Sequence, residues 1–325
     1  MQRIVGWWDR RQVPLYLAAI LLGGVVGWTL PWTAPALAAS INPSLMLLLF
    51  ATFLAVPIIE VVRAFRDIRF LGAVVVLNFI VVPAVVFVLS RFVADDRGLL
   101  LGVLLVLLTP CVDYVIVFTG LAGGARDRLL AATPVLMLLQ ILLLPAYLWV
   151  FAGPETVGLV EVGPFVEAFL LLIVLPLGAA ALVQVIARRH RAGRAVVTVM
   201  EGAMVPVMML TLAVVIGSQI AAAGEQAGAL LRVVPVFALF LVVMVALGAV
   251  MRRPAGLDVP AGRALVFSGA TRNSLVVLPL ALALPASLGI APLVVVTQTL
   301  VELVGMVVLV RLVPFLVRVR PTAPR

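Results

Sequence analysis

Long apolar runs separated by short polar stretches dominate this chain. At about 1.5 Å per helical residue, runs of this length cross the roughly 30 Å hydrocarbon core of a bilayer. The pattern therefore predicts an all-α membrane protein with ten transmembrane spans. The predicted spans lie at about 13–32, 44–62, 70–90, 98–122, 129–151, 164–187, 195–217, 230–250, 264–286 and 292–317.

The fourth and ninth runs each carry polar residues near the middle. The fourth contains the stretch Thr109–Tyr114, with Pro110, the chain's only cysteine Cys111, and Asp113. Proline has no backbone N–H, so the helix must break or kink where lipid cannot satisfy the freed carbonyls. The ninth run contains the stretch Ser268–Ser274. Interrupted helices with polar groups at mid-membrane are typical of transporter substrate sites.

The polar positions also indicate an internal repeat. Pro110 and Cys111 lie 162 residues before Arg272 and Asn273, and the same offset separates Gln140 from Glu302 (302 − 140 = 162). Two halves with an odd number of spans must have opposite orientations in the membrane. The sequence thus predicts two inverted five-helix repeats, residues 1–152 and 153–325.

Composition and charge agree with a multi-pass membrane protein. Hydrophobic residues make up 65% of the chain and charged residues 11%, and the mean hydropathy is +1.29. Every basic residue is an arginine, and most of them occupy alternate inter-span loops and the two ends of the chain. The net charge of +9 is therefore explained by the orientation of the spans in the membrane, and nucleic-acid binding is excluded. The positive-inside rule predicts both termini in the cytoplasm. We also expect the protein to lie in the inner membrane. The loop arginines that set this orientation are Arg63, Arg66, Arg69, Arg126, Arg128, Arg188, Arg189, Arg191, Arg194, Arg252, Arg253 and Arg263.

Arg272 is the strongest single candidate for a functional residue, because it lies near the middle of the ninth predicted span. A charge near the centre of a membrane helix costs on the order of 2.5–3.5 kcal/mol on insertion scales, so it needs a partner or water. Asp113, at the matching depth of the fourth span, is the predicted partner. The alternative is a buried structural pair with no role in transport.

Cys111 and Glu302 are the other candidates for chemistry. A cysteine beside the break is a soft ligand for a thiophilic species, although a buried cysteine also serves as a small packing residue. Glu302 lies near the middle of the tenth span and is a candidate proton carrier. The alternative for Glu302 is a hydrogen bond to Asn273, Ser274 or Gln140.

Several further polar side chains either line a site or join helices by hydrogen bonds. They are Asn78, Gln140, Thr271, Asn273, Ser274 and Gln298. The sequence has no nucleotide-binding glycine loop and no metal-spaced His or Cys set, so we predict no cofactor and no enzymatic activity.

Four segments of the chain resemble the arsenite-efflux permeases of the bile acid/sodium symporter superfamily. Pro110, Cys111, Val115 and the glycines at 120–123 resemble their fourth helix, and the matches to the third, fifth and tenth helices are collinear with it. The other matching segments are Leu77–Ser90, Leu138–Pro145 and Leu300–Arg311. The resemblance implies a ten-helix fold in which helices 4 and 9 are broken and cross. It also implies that Cys111 binds arsenite and that Glu302 is a coupling carboxylate.

The ninth span departs from that family, which usually has an Asn-rich stretch followed by a glutamate. Here the stretch is Thr271–Leu275, with a cation in place of the carboxylate, so proton coupling is predicted rather than sodium coupling. We expect a secondary carrier in the lipid bilayer that exports arsenite or antimonite. The alternatives are an ion-coupled carrier of a small organic anion, with Arg272 binding its carboxylate, and a non-transporting receptor or scaffold.

Overall fold

The structure, a computed structural model, describes residues 8, 11–55, 67–112, 114–153 and 162–318. Helices form all the regular secondary structure in these ranges. In chain order the helices are α1 (Gln12–Thr29), α2 (Ala34–Ala55), α3 (Ile68–Val76), α4 (Val82–Ser90), α5 (Arg97–Leu107), α6 (Tyr114–Leu121), α7 (Arg126–Ala152), α8 (Val162–Phe169), α9 (Leu175–Arg189), α10 (Arg191–Glu225), α11 (Ala227–Met251), α12 (Val259–Ala270), α13 (Ser274–Leu282) and α14 (Ala291–Leu316).

Seven helical segments of the described residues are long and apolar enough to cross a membrane. Many of their large apolar side chains are exposed, as expected where lipid is the solvent. The protein is therefore an all-α, multi-pass membrane protein, and the ten-span count stays a prediction. The seven segments are Pro31–Ala55, Ile68–Val93, Arg126–Ala152, Val166–Arg189, Arg191–Glu225, Ala227–Met251 and Ala286–Leu316.

Some helices are longer than the spans predicted from the sequence. The second span begins at Ala34 rather than near residue 44, directly after a short 3₁₀ turn at Pro31–Thr33. The intervening stretch is rich in alanine, the strongest helix former, and hydropathy alone does not register that preference. α10 likewise extends to Glu225, beyond the predicted end near residue 217.

The described residues form two compact units. The first consists of Met1–Ile58, Gly158–Leu231 and Leu275–Val296, and the second of Ile59–Val157, Arg232–Ser274 and Thr297–Arg325. Each unit draws on both predicted repeats. The compact units are defined by contacts, whereas the predicted repeats are defined by chain order. The division into repeats after residue 152 therefore stays a prediction.

In the first unit, α1, α2 and α9 pack against the long helix α10. The contact between α1 and α10 depends on small residues that bring the two backbones close together. A Cβ atom at Gly23 would lie 2.8 Å from the Cα atom of Ala213, and one at Gly27 would lie 2.8 Å from the carbonyl carbon of Gly217. Larger residues cannot occupy these positions unless the helices separate.

Gly23→Ala is therefore expected to lower stability by about 1–3 kcal/mol, the usual cost of overpacking. Its neighbour Gly24 is the matched control, because a Cβ there would meet only Ile216 Cγ2 at 3.8 Å. Gly24→Ala should be neutral or slightly stabilising, since alanine is the better helix former. Thermal unfolding of the purified variants in detergent measures both effects, and equal midpoints would contradict this account of the interface.

In the second unit, α12 packs against α3, α6 and α7. Aspartates cap the N-termini of three of its helices. Asp67 and Asp258 each accept from the backbone N–H of the third residue beyond them, and Asp96 accepts from the N–H groups of Gly98 and Leu99 in α5. Arg128 of α7 contacts Asp67 at 3.3 Å and Asp258 at 3.0 Å. One arginine thus joins the starts of α3 and α12.

Charges at one exposed end of this unit also cancel. Arg232 donates to both carboxylate oxygens of Asp95, at 2.6 and 2.8 Å. This hydrogen bonding lowers the pKa of Asp95 below its ordinary value. The orientation of this end in the membrane stays a prediction.

A five-residue π-helical turn at Leu77–Val81 separates α3 from α4. Pro83, which follows it, has no N–H for the carbonyl of Phe79, and Tyr147 Oη donates to that oxygen instead at 2.6 Å. Wide turns of this kind often occur at functional sites. This one places Asn78 in the buried interior of the unit.

Candidate functional site

Two breaks in helical structure lie side by side in the second unit. The first break (residues 108–112) follows α5, and the second break (residues 271–273) separates α12 from α13. Pro110 and Arg272 face each other as an isolated antiparallel bridge. The two polar stretches singled out in the fourth and ninth predicted spans are therefore paired.

Backbone hydrogen bonds hold the two breaks together. The N–H of Cys111 donates to the carbonyl of Thr271 at 3.2 Å, and the N–H of Asn273 donates to the carbonyl of Thr109 at 2.8 Å. In a bilayer, backbone groups released by a helix break have no water to bond. Here each break satisfies groups of the other, which is why both tolerate an interior position.

The Arg272 side chain is completely buried, and its hydrogen-bond acceptors within the described ranges are uncharged oxygen atoms. Its Nη2 donates to Asn78 Oδ1 at 2.8 Å, to the carbonyl of Ser268 at 2.7 Å and to that of Gly269 at 2.9 Å. Its Nη1 donates to the carbonyl of Leu107 at 3.3 Å. The guanidinium thus binds carbonyl groups at the C-terminal ends of both α5 and α12.

Phe240 lies beside this guanidinium, with the centre of its ring 5.5 Å from Cζ of Arg272, close enough for a cation–π contact. The Nε atom has no hydrogen-bond partner among the described residues. Asp113, the partner predicted from sequence, lies outside the described residues. The pairing of Asp113 with Arg272 therefore stays a prediction.

Glu302 is also completely buried, and donors surround its carboxylate. Oε1 accepts from the Tyr114 hydroxyl at 2.5 Å, while Oε2 accepts from the backbone N–H of Arg272 at 2.8 Å and from Gln298 Nε2 at 2.5 Å. The Tyr114 hydroxyl also lies 3.2 Å from the carbonyl oxygen of Arg272. Glu302 and Arg272 are the two charged side chains that are buried in the described part of the chain.

The side-chain partners of Glu302 differ from those considered from the sequence. Asn273, Ser274 and Gln140 were the expected alternatives, whereas the observed side-chain partners are Gln298 and Tyr114. Tyr114 was missed. Its signal was present, because a tyrosine within an apolar membrane span needs a partner for its hydroxyl.

The remaining polar candidates form hydrogen bonds both within one helix and between helices. Thr271 Oγ1 donates to the carbonyl of Phe267 at 2.7 Å, and Thr299 Oγ1 donates to Ser274 Oγ at 2.7 Å. Asn78 has a wider role, because its Nδ2 donates to Ser268 Oγ at 2.9 Å while its Oδ1 accepts from the guanidinium.

Cys111 and Gln140 are both buried, with 1% and 5% of their surface exposed. Cys111 belongs to the paired breaks. Gln140 lies in α7, where its Oε1 has no hydrogen-bond partner among the described residues. The structure thus gathers most of the predicted polar residues around the second break, and Gln140 is not part of the hydrogen bonds described there.

Comparison with known families supports a transport function. Residues 42–253 match the model of the sodium bile acid symporter family, which is well over half of the 325 residues. The matched range contains the first break and ends before α12. A search of curated proteins gave no match. Because a match of this extent establishes membership, the chain belongs to the sodium bile acid symporter family and is a membrane transporter of that kind.

Proposed function

We propose that this protein is a proton-coupled secondary carrier that exports arsenite or antimonite. The observation that carries the proposal is that Cys111 and Glu302 both bond to the second break. The backbone N–H of Cys111 donates to Thr271, and the carboxylate of Glu302 accepts from the next residue, Arg272. A soft ligand and a buried carboxylate are thereby attached to the same short segment.

Cys111 supplies the ligand for the metalloid. Its thiol displaces one hydroxyl of arsenous acid, forming a sulfur–arsenic bond and releasing water, and hydrolysis reverses the step. Thiols suit soft metal and metalloid ions. A single thiol forms a single such bond, which suits a carrier because the cargo must also leave.

Glu302 carries the proton in this proposal. When ionised, the carboxylate accepts from Tyr114, the Arg272 N–H and Gln298. When protonated at Oε1, it donates to the Tyr114 hydroxyl, which then turns to the Arg272 carbonyl 3.2 Å away. Both protonation states keep their hydrogen bonds, which avoids the cost of an unsatisfied buried group.

The wider architecture that we propose is ten spans in two inverted five-helix repeats, residues 1–152 and 153–325, with the fourth and ninth spans broken and crossing. Both termini lie in the cytoplasm, and the protein resides in the inner membrane. The paired breaks and the arginine-rich loops support this arrangement. Asp113, Arg272, Asn273 and Ser274 are proposed to line the substrate site with Cys111, and Asp113 also serves as a second coupling carboxylate. Asn78, Gln140, Thr271 and Gln298 are proposed as supporting polar residues.

Cys111→Ser is expected to reduce proton-driven arsenite uptake into everted membrane vesicles by at least about tenfold, because a hydroxyl is a poor ligand for a soft ion. Thr52→Ser, a conservative change at a buried position of the first unit, is the matched control and should transport normally. Undiminished arsenite uptake by Cys111→Ser would refute the thiol role.

The family match favours a second candidate, an ion-coupled carrier of a small organic anion. In that version Arg272 binds the substrate carboxylate, and Cys111→Ser is tolerated. Both terminal nitrogens of Arg272 already donate to oxygen atoms of the protein, so a carboxylate would have to bind at Nε or displace one of these bonds. Competition of arsenite uptake by small carboxylates would favour the organic-anion carrier.

A further inference from the structure

The oxygen atoms around Arg272 form a cage of the kind that binds a monovalent cation. Among the described residues, four acceptors converge on the guanidinium, namely three backbone carbonyls and the side-chain oxygen of Asn78. None of these four carries a formal charge. Carbonyl oxygens at the ends of broken membrane helices are the ligands with which carriers hold Na⁺.

The cage is formed by the ends of two helices. In α5, the carbonyls of residues 104–106 accept from Leu108 and Thr109, and that of Leu107 accepts from Arg272. The Ser268 and Gly269 carbonyls of α12 accept from the same guanidinium. The C-terminal end of each helix carries a partial negative charge, so both dipoles favour a cation here.

We propose that Arg272 is a built-in cation that takes the place of a bound coupling cation. The guanidinium fills the cage and bonds the helix-end carbonyls without leaving when the carrier turns over. The protein then needs neither Na⁺ nor K⁺ to pair its two breaks. This inference concerns the site itself and holds whatever solute is carried.

Removing the side chain should expose the empty cage to solution cations. Arg272→Ala leaves the Leu107, Ser268 and Gly269 carbonyls and Asn78 Oδ1 without their donor. A small monovalent cation that reaches them binds the native state and stabilises it in proportion to its concentration above the dissociation constant. The engineered site thus converts a cation-independent protein into a cation-dependent one.

The experiment measures thermal unfolding of purified protein in detergent, in NaCl, KCl or choline chloride at equal ionic strength. The wild-type midpoint should be the same in all three salts. Arg272→Ala should unfold at a lower temperature in choline and regain several degrees in NaCl or KCl, with saturation. In the double variant Arg272→Ala/Asn78→Ala, the half-saturating cation concentration should be about tenfold higher. This is the effect of losing one ligand that contributes about 1.4 kcal/mol to cation binding.

Arg263→Ala is the matched control. Arg263 also donates to backbone carbonyls, those of Ala122 at 3.0 Å and Val317 at 3.2 Å, but it is partly exposed. In the Arg263→Ala variant, water can replace the missing guanidinium. The unfolding midpoint of this variant should therefore not depend on which cation is present.

Two results would overturn the proposal. One is saturable stabilisation of the wild type by Na⁺ or K⁺, and the other is an Arg272→Ala variant whose midpoint is equal in all three salts. If the alanine variant does not fold, Arg272→Gln serves for the same comparison. No transported solute enters the measurement, so failure here is distinct from failure of the arsenite assay.

Discussion

Glu302→Gln is expected to abolish the response of the carrier to a proton gradient. A gradient of about one pH unit is worth about 1.4 kcal/mol per proton, enough for a tenfold accumulation of a coupled solute. Glutamine cannot release or bind that proton. Everted vesicles carrying the variant should therefore accumulate the same amount of arsenite with and without the gradient.

The same variant should still exchange internal for external arsenite. Glutamine resembles the protonated form of Glu302: its amide nitrogen donates to the Tyr114 hydroxyl, and its oxygen accepts from the N–H of Arg272 and from Gln298. The hydrogen bonds of one state are thus preserved, and the protein should fold.

Glu225→Gln provides the matched control, because it makes the same chemical change at the exposed end of α10. This variant should respond to the gradient as the wild type does. Gradient-driven accumulation by Glu302→Gln would exclude Glu302 as the proton carrier and would direct attention to Asp113.

Arg272→Met is expected to be the most destabilising single change, costing about 3–5 kcal/mol, as is usual when one charge of a buried set is removed. Methionine approximates the length of the side chain but donates no hydrogen bonds, so four oxygen acceptors lose a donor. It also leaves the buried carboxylate of Glu302 without a buried cation nearby among the described residues. Denaturant or thermal unfolding in choline chloride measures the loss.

Combining Arg272→Met with Glu302→Gln tests whether the two charges stabilise each other. Their side chains are not hydrogen-bonded directly, but Glu302 binds the backbone N–H of Arg272. We expect the double variant to lose about 0.5–3 kcal/mol less unfolding free energy than the two single variants lose in sum. Strict additivity would show that the two groups act independently. Arg232→Met, in an exposed pair, should change stability little.

The sequence was sufficient for the features that depend on local chemistry. Long apolar runs predicted a helical membrane protein, and Pro110 marked a break because its missing N–H is a local property. Arg272 and Glu302 stood out because charges are costly in a membrane. All of these judgements need only the residue and its neighbours in the chain.

Features that depend on which segments meet were less accessible. The oxygen atoms around Arg272 come from α3, α5 and α12 or their adjoining turns, and backbone carbonyls give no signal in a sequence. The role of Tyr114 depends on its distance to a residue in α14. The two compact units each combine distant parts of the chain, which hydrophobic periodicity does not reveal.

The π-helical turn before Pro83 has a consequence for the register of the third predicted span. A turn of this type holds one residue more than an α-helical turn, so everything beyond it is rotated by about 100° relative to a regular helix. Deleting a single residue within 79–81 would restore regular winding and swing the later half of the span, Val82–Ser90, away from its present contacts. A point substitution there changes one side chain, whereas this deletion would reassign a whole helical face from protein to lipid.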